Sequence, residues 1–380
     1  MCAEVFAGLG TPHALKKAHS AAIKHDELRN DAEMHQKVSD AFQRTHPKLC
    51  HLPEFFSLIE RENDEWWTET GSKLPESKLP EARTKERTPV LISERILPLE
   101  RKARDMLIDR FCKEEGIQAV RENIENEDSL LRIYLGLRHK SGQKEESFSL
   151  RNFPYSLEKI EEVGSDKFFL AEAIAEGLAI LHWGAKIDAR DVEFVLGSVA
   201  EDVKVKEGEL LTDSGVLRLE NLSIRNVGES EVSEASRIGD LLKSDDPETA
   251  NESISGTAVN HENLWVWVLD FNQCEDITMD ENGCIKAAKA FWDNDPYYPR
   301  PNTEQDEELW KYFQQKYLHF SSRILERENK EWKDLPQLFI EKVVEIGLSR
   351  IAGSSVAAGP PRGIPAAKKG TAKKARVYVQ

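Results

Sequence analysis

The sequence predicts an α+β fold of two lobes, a small mixed N-terminal lobe and a larger, mostly helical C-terminal one. Three observations predict it. The chain has 380 residues, more than one hydrophobic core organises. Residues 1–150 alternate short strand-like runs with one long helical pattern, whereas 151–352 are dominated by helical periodicity. A Gly/Pro/Ala/Lys-rich tail, 353–380, has no apolar pattern around which to fold and is expected to be disordered.

Near the start, VFAGLGTPHALKKAHS reads as a strand, a glycine turn at Gly8 and Gly10, and a second strand carrying Lys16 and Lys17. Leu28, Ala32, His35, Val38 and Phe42 then recur at helical spacing over 26–42, with Asp31 on the margin of the inward face and His35 as a packed residue rather than a ligand. After a polar loop at 68–88, PVLISERILP reads as extended, RKARDMLIDRFC as helical, and LLRIYLGLRH and SFSLRNFP as extended. Ser165 and Asp166 offer a helix start, and Leu170, Ile174, Leu178 and Leu181 mark its buried stripe to about Trp183, before Gly184. The turn AKIDAR leads into a short strand, 194–196. An acidic, Ser-rich insertion at about 198–262 is expected to be a mobile loop. A very apolar strand, 264–271, follows, then a helix through Phe291, the loop DPYYPRP, and two closing helices.

Net charge is −16, which argues against a generally basic, nucleic-acid-coating surface. The tail is the exception, with Arg362, Lys368, Lys369, Lys373, Lys374 and Arg376 and no acid, a composition that can track phosphates or serve as a solubilising or localising segment. Five cysteines without a CxxC pair argue against a disulfide framework and a zinc site, and point to a reduced, cytoplasmic setting. No apolar run is long enough for a membrane span, and no secretory signal is visible. The G-x-S-x-G, H-E-x-x-H, Walker A and dinucleotide motifs are all missing, so the common hydrolase, zinc-protease and dehydrogenase readings lose support.

Chemistry concentrates in two places. In IDARDVEFVL, Asp188 stands on a turn five residues ahead of Glu193, beside a short apolar strand. In VWVLDFN, an apolar strand carries Asp270 towards the interior, where an unpaired carboxylate is expensive and a partner is expected. Beyond the next helix, Asp295, Tyr297, Tyr298 and Arg300 stand between Pro296, Pro299 and Pro301, whose fixed φ lowers the entropy needed to hold polar groups in place.

Written without gaps against the protein-kinase catalytic loop, the first segment is similar in setting Asp188 on the catalytic aspartate and Glu193 on the metal-binding asparagine; the second sets Asp270, Phe271 and Asn272 on the DFG triplet. Gly8 and Gly10 then stand where the glycine loop would be, Lys16 or Lys17 where the strand lysine would be, and Asp31 where its helix acid would be. The resemblance implies a protein-kinase-like bilobal frame. The departures (Glu193 for asparagine, DFN for DFG) weigh against ordinary ATP-dependent phosphoryl transfer.

The runs FSLRNFPYSLEKIEEVG, LAILHWGAKIDARDVEFVLG, LWVWVLDFNQC and AFWDNDPYYPRP resemble a fungal family, long described as hypothetical or zinc-finger proteins, that includes the arginine-containing cyclodipeptide synthases of secondary metabolism. That resemblance implies an aminoacyltransferase that joins arginine from arginyl-tRNA to an amino acid from a second aminoacyl-tRNA and releases a cyclic dipeptide without ATP or another cofactor. It also implies that the DPYYPRP loop matters for activity. On this reading Asp188, Glu193, Asp270 and Asp295 supply acids for guanidinium recognition and proton transfer. Tyr297 or Tyr298 serves the oxyanion or stacks on substrate, Arg300 meets phosphate, and Lys17, Asp31, Pro296 and Pro299 line the substrate site. A kinase-like phosphotransferase and a non-catalytic pseudokinase scaffold are the alternatives.

Overall fold

The computed structural model of the chain describes residues 3–7, 12–74, 86–138, 148–198, 264–294, 296–301 and 304–357. It is a mixed α+β protein with two small sheets and a helical body. β1 (Ala3–Ala7) and β2 (His13–Ala18) form an antiparallel pair; the glycine turn expected at Gly8 and Gly10 lies outside the described residues. α1 (Ala22–Thr45) extends the predicted helix at both ends and stops at His46, whose left-handed backbone returns its N–H to the Phe42 carbonyl. β3 (Cys50–His51), β4 (Phe55–Ile59) and α2 (Asp64–Glu69) follow, each too short for periodicity to mark. The stretch 68–88, read as a polar loop, begins inside α2 and a 3₁₀ turn, Gly71–Lys73; residues 75–85 lie outside the described residues.

β5 (Val90–Glu94) and α3 (Arg101–Phe111) stand where the sequence places them, and α4 (Ile117–Glu122) and β6 (Leu131–Tyr134) come next. β7 (Phe153–Ser156) starts where the extended reading of SFSLRNFP ended, because Asn152 turns the chain in a left-handed conformation. α5 (Leu157–Glu162) leads to α6 (Lys167–Ala179), capped by Asp166, which accepts from the Phe168 and Phe169 amides at 2.9 and 3.0 Å. The last turn of that helix, Ile180–Gly184, widens to π geometry. β8 (Glu193–Ser198), β9 (Leu264–Leu269), α7 (Glu281–Asp293), α8 (Glu307–Glu328) and α9 (Leu335–Ala357) complete the order; α9 runs on through 353–357, where the sequence predicts the disordered tail to begin, and 358–380 lie outside the described residues.

The first sheet runs β1-β2-β5-β4, antiparallel throughout. Period-two alternation gives it two buried faces. Leu15, Val90 and Ile92 pack against Trp66 and Trp67 of α2, while Ala18 and Leu91 pack against Leu28 and Ala32 of α1. The second sheet runs β3-β9-β8-β6-β7. It crosses the boundary expected at residue 150, since β3 and β6 come from the first 150 residues and β7, β8 and β9 from the rest.

α6 is buried nearly all round, and the largest core gathers on it from α1, the second sheet, α7, α8 and α9. Glu176 is the one carboxylate this helix carries into the core, and it accepts the amides of Lys48, Leu49 and Cys50 at 3.1, 2.7 and 3.0 Å. β8 and β9 pair from Glu193↔Leu269 to Ser198↔Leu264. The chain therefore leaves β8 and rejoins β9 on one rung of the ladder; residues 199–263 lie outside the described residues. Among the described residues, no helix is long and apolar enough to cross a membrane.

Candidate functional site

Three elements distant in sequence meet at Lys16. On β2, alternation sends Lys16 to the α1 face and Lys17 to the α2 face. The Lys16 ammonium donates to Asp31 Oδ2 at 2.6 Å and to Asp270 Oδ1 at 2.7 Å. The other oxygen of Asp31 accepts the Phe271 amide at 2.8 Å, so one carboxylate on α1 holds both the lysine and the backbone just after Asp270. Lys17 is not brought here. It is buried with its ammonium 6.0 Å from the Trp67 ring centre, and burial lowers its pKa.

The segments around Asp188 and Asp270 lock together. The Asp188 amide donates to the Glu275 carbonyl at 2.9 Å, while Asp188 Oδ1 accepts the Arg190 and Glu275 amides at 3.1 and 3.0 Å. Asn30 of α1 pins the second segment by donating to the carbonyls of Asn272 and Cys274 at 3.1 and 3.0 Å. Of the non-glycine residues described with positive φ, Lys186, Ala189, Asp191 and Asp270 all lie in these two segments. Such conformations persist only where surrounding contacts over-determine them, and they gather at functional sites. Burial raises the Asp188 pKa against the two amides that favour its charge.

Cys274 lies at the centre of these acids. Its thiol donates to the Arg190 carbonyl at 3.3 Å, and burial, followed by the charges of Asp188, Asp31, Asp270 and Asp191, pushes its pKa well up. A thiol so placed is a poor nucleophile.

Glu193 opens β8 beside the rung that carries Leu269, next to Asp270. Its carboxylate meets the Arg132 guanidinium at 2.5 Å. Burial and the charge of Asp270 push its pKa up to about 7, against the pull of Arg132 and Lys16. The Lys16 cluster therefore continues through Glu193 to Arg132. Among the residues described, Asp31, Asp270 and Glu193 share the cations Lys16 and Arg132, and Asp188, which joins them across Cys274, has Lys286 as the cation acting on it.

The proline-bounded loop docks on the end of β6. Amides of Leu135 and Gly136 donate to the carbonyls of Tyr297 and Pro296 at 3.3 and 2.9 Å. Gly136 is required there, because a Cβ would lie 2.4 Å from the Tyr298 carbonyl oxygen. Both tyrosines are buried. Tyr297 stands edge-on to Tyr134 at 5.1 Å, and Tyr298 stacks on Phe291 at 4.5 Å with its hydroxyl accepting from Asn294 at 3.4 Å. The Arg300 guanidinium lies 4.6 Å over Trp292 and donates to the Phe291 carbonyl at 3.2 Å; burial lowers its pKa to about 10. Pro299 is buried and Pro296 half-buried in the loop backbone, and Asp295 lies outside the described residues.

The structure thus brings Asp31, Asp188, Glu193 and Asp270 together, turns Tyr298 into the packed interior and lays the half-buried Arg300 on Trp292. Tyr297 stands between the two groups, close enough to act on the charge of Arg132. Arg132 is the residue that sequence reading missed. Its only signal is a charged position in the strand LRIY, and nothing in that pattern announces that β6 pairs with β8.

A family model described as "Zinc finger protein" matches residues 266–329, from β9 to the end of α8. Among the described residues no group of three or more His, Cys, Asp or Glu side chains is placed to hold a metal ion. The two cysteines in the matched span are buried, with thiols turned to the carbonyls of Arg190 and Leu335 at 3.3 and 3.4 Å, so these residues do not fit a zinc finger. No curated protein and no solved structure matches the chain.

Proposed function

We propose that this protein is a tRNA-dependent cyclodipeptide synthase, an aminoacyltransferase on a protein-kinase-like bilobal frame. It takes arginine from arginyl-tRNA and a second amino acid from another aminoacyl-tRNA. The observation that carries the proposal is the acidic centre itself, with a carboxyl, Glu193, that changes protonation near neutral pH. A triphosphate would bring more negative charge to four acids, whereas a cationic arginyl group is drawn to them.

The ester of an aminoacyl-tRNA is already activated, so the site needs only to position two substrates and move protons. The α-amine of one aminoacyl group attacks the ester carbonyl of the other. A C–N bond forms, the C–O bond to the ribose breaks, and the ribose hydroxyl leaves with a proton. A second attack of the same kind closes the ring. Glu193 is suited to take the amine proton and return it to the leaving oxygen. Asp270 and Asp188 are suited to grip the guanidinium, while Tyr298 and Arg300 support the loop from within.

Expression in a bacterial host, with the medium analysed by mass spectrometry, tests the proposal: an arginine-containing diketopiperazine is expected. Soluble protein without any such product counts decisively against it.

The Lys16–Asp31 pair favours a second reading, a phosphotransferase, since a strand lysine held by a helix acid is the kinase arrangement. Magnesium-dependent ATP binding that Asp270→Ala abolishes would support it. The absence of a thermal shift with nucleotide would remove it.

A further inference from the structure

We propose that Arg132 is a positioning residue, which holds the Glu193 carboxyl against the Asp270 end of the site and ties it to the proline-bounded loop. This rests on the reading of Glu193 as the proton-transfer group.

Register places Arg132 opposite Val195, two rungs along from Glu193 and so on the same face of the second sheet. A cross-strand Arg–Glu pair at a sheet surface is common and weak. This one differs in two respects. Its side chains are only 25% and 21% exposed, and groups from other elements converge on it. Arg132 bonds to the side chain of Tyr134 and feels the phenol of Tyr297 from the 296–301 loop. Tyr134 and Tyr297 stand edge-on at 5.1 Å. The amides of Leu135 and Gly136, immediately after β6, hold the loop backbone. β6 thus carries the guanidinium with its second residue and the loop with the two residues that follow it.

The charged groups acting on Glu193 come from four places: Arg132 on β6, Asp270 after β9, Lys16 on β2 and Asp191 in the turn before β8. Arg132 and Lys16 favour the carboxylate, while Asp270, Asp191 and burial favour the acid. Removing the guanidinium leaves the second set less opposed, so the carboxyl keeps its proton to higher pH.

The test is carbodiimide and amine labelling of Glu193 across pH, read by peptide mass spectrometry on the full chain, in the wild type and in Arg132→Met, Arg132→Lys and Asp270→Asn. In the wild type, labelling is expected to fall with a midpoint near 7 rather than the ordinary 4.5. Arg132→Met should raise that midpoint by about one unit, Arg132→Lys should restore most of the difference, and Asp270→Asn should lower it. The pH–rate profile of dipeptide formation should move with the label in each variant.

A midpoint unmoved in folded Arg132→Met overturns the proposal. So does a wild-type midpoint near 4.5, or a Glu193 that takes no label at any pH. If Arg132→Met does not fold, Arg132→Gln takes its place, with the same rise expected and the same unmoved midpoint overturning the proposal. Labelling requires no product, so midpoints that shift as described without any dipeptide refute the synthase reading and leave the role of Arg132 standing.

Discussion

Lys16 and Lys17 are neighbours with opposite fates, and mutation should separate them. Lys16→Met leaves Asp31, 3% exposed, without its cation, and is expected to destabilise the protein by roughly 3 kcal/mol, as breaking a buried pair does. On the proposed synthase reading it should also abolish product. Lys17→Met exchanges an ammonium whose charge burial disfavours for an apolar chain beside Trp67, and its effect should stay below about 1 kcal/mol. Urea denaturation of the two variants checks the contrast. Glu193 makes a pH-dependent prediction. Its pKa is raised in the folded protein, so the native state holds a proton that the unfolded chain releases. That contribution is complete below about 4.5 and is lost as pH rises through about 7. Wild type is therefore expected to lose stability relative to Glu193→Gln over that interval, by roughly 3 kcal/mol. Parallel melting or denaturant series in the same buffers measure the difference. Equal pH slopes for the two proteins would refute it.

Single side chains fix whole elements at two places. Glu176 holds the chain between α1 and β3 by accepting three successive amides. Glu176→Ala strands all three donors and is expected to cost about 3 kcal/mol in chemical denaturation, with Glu176→Gln intermediate. Gly136→Ala drives a methyl into the Tyr298 carbonyl. It should displace the 296–301 loop, cost about 1–3 kcal/mol and reduce dipeptide formation, while Gly164→Ala, where a Cβ meets nothing within 4 Å, should cost only the local strain of its φ. The elements that sequence made legible are the ones with several turns or several rungs: α1, α3, α6, β5, β8 and β9 carry enough apolar positions for a period to emerge. β3, β4, α2 and α4 hold too few residues to show one, and tertiary packing decides them. The acids of the site were legible because a carboxylate after an apolar strand, or on a turn beside one, needs a partner. Which lysine supplied that partner was not, since both stand in the same strand and only its facing decides. Arg132 was hidden for a related reason: it acts through a pairing between strands about sixty residues apart, and no local pattern encodes that. The chemistry of the DPYYPRP loop read as a displayed site, yet Tyr298 packs inward and the half-buried Arg300 lies on Trp292, because rings and a stacked guanidinium fill the space under β6 better than water does.

At the scale of the molecule, the two sheets have separate cores, and the Lys16–Asp31–Asp270 contact bridges them with one cation and two acids. Asp270 therefore reports on both: Asp270→Asn keeps a side chain that tolerates left-handed backbone, whereas Asp270→Val adds strain to the lost charge and should lower thermal stability further. The rung Ser198↔Leu264 has a practical consequence. The described ladder leaves and re-enters the sheet at one point, so a short turn can close it there. Replacing that stretch with an Asn-Gly turn should leave melting temperature unchanged or raised, with up to about 3 kcal/mol of closure entropy recovered. A shortened chain that still makes dipeptide would remove any scaffold role for the segment from the catalytic account. The same rung is also a port: a reporter domain whose termini lie close together could be spliced there and carried by the protein, far along β8 from Glu193.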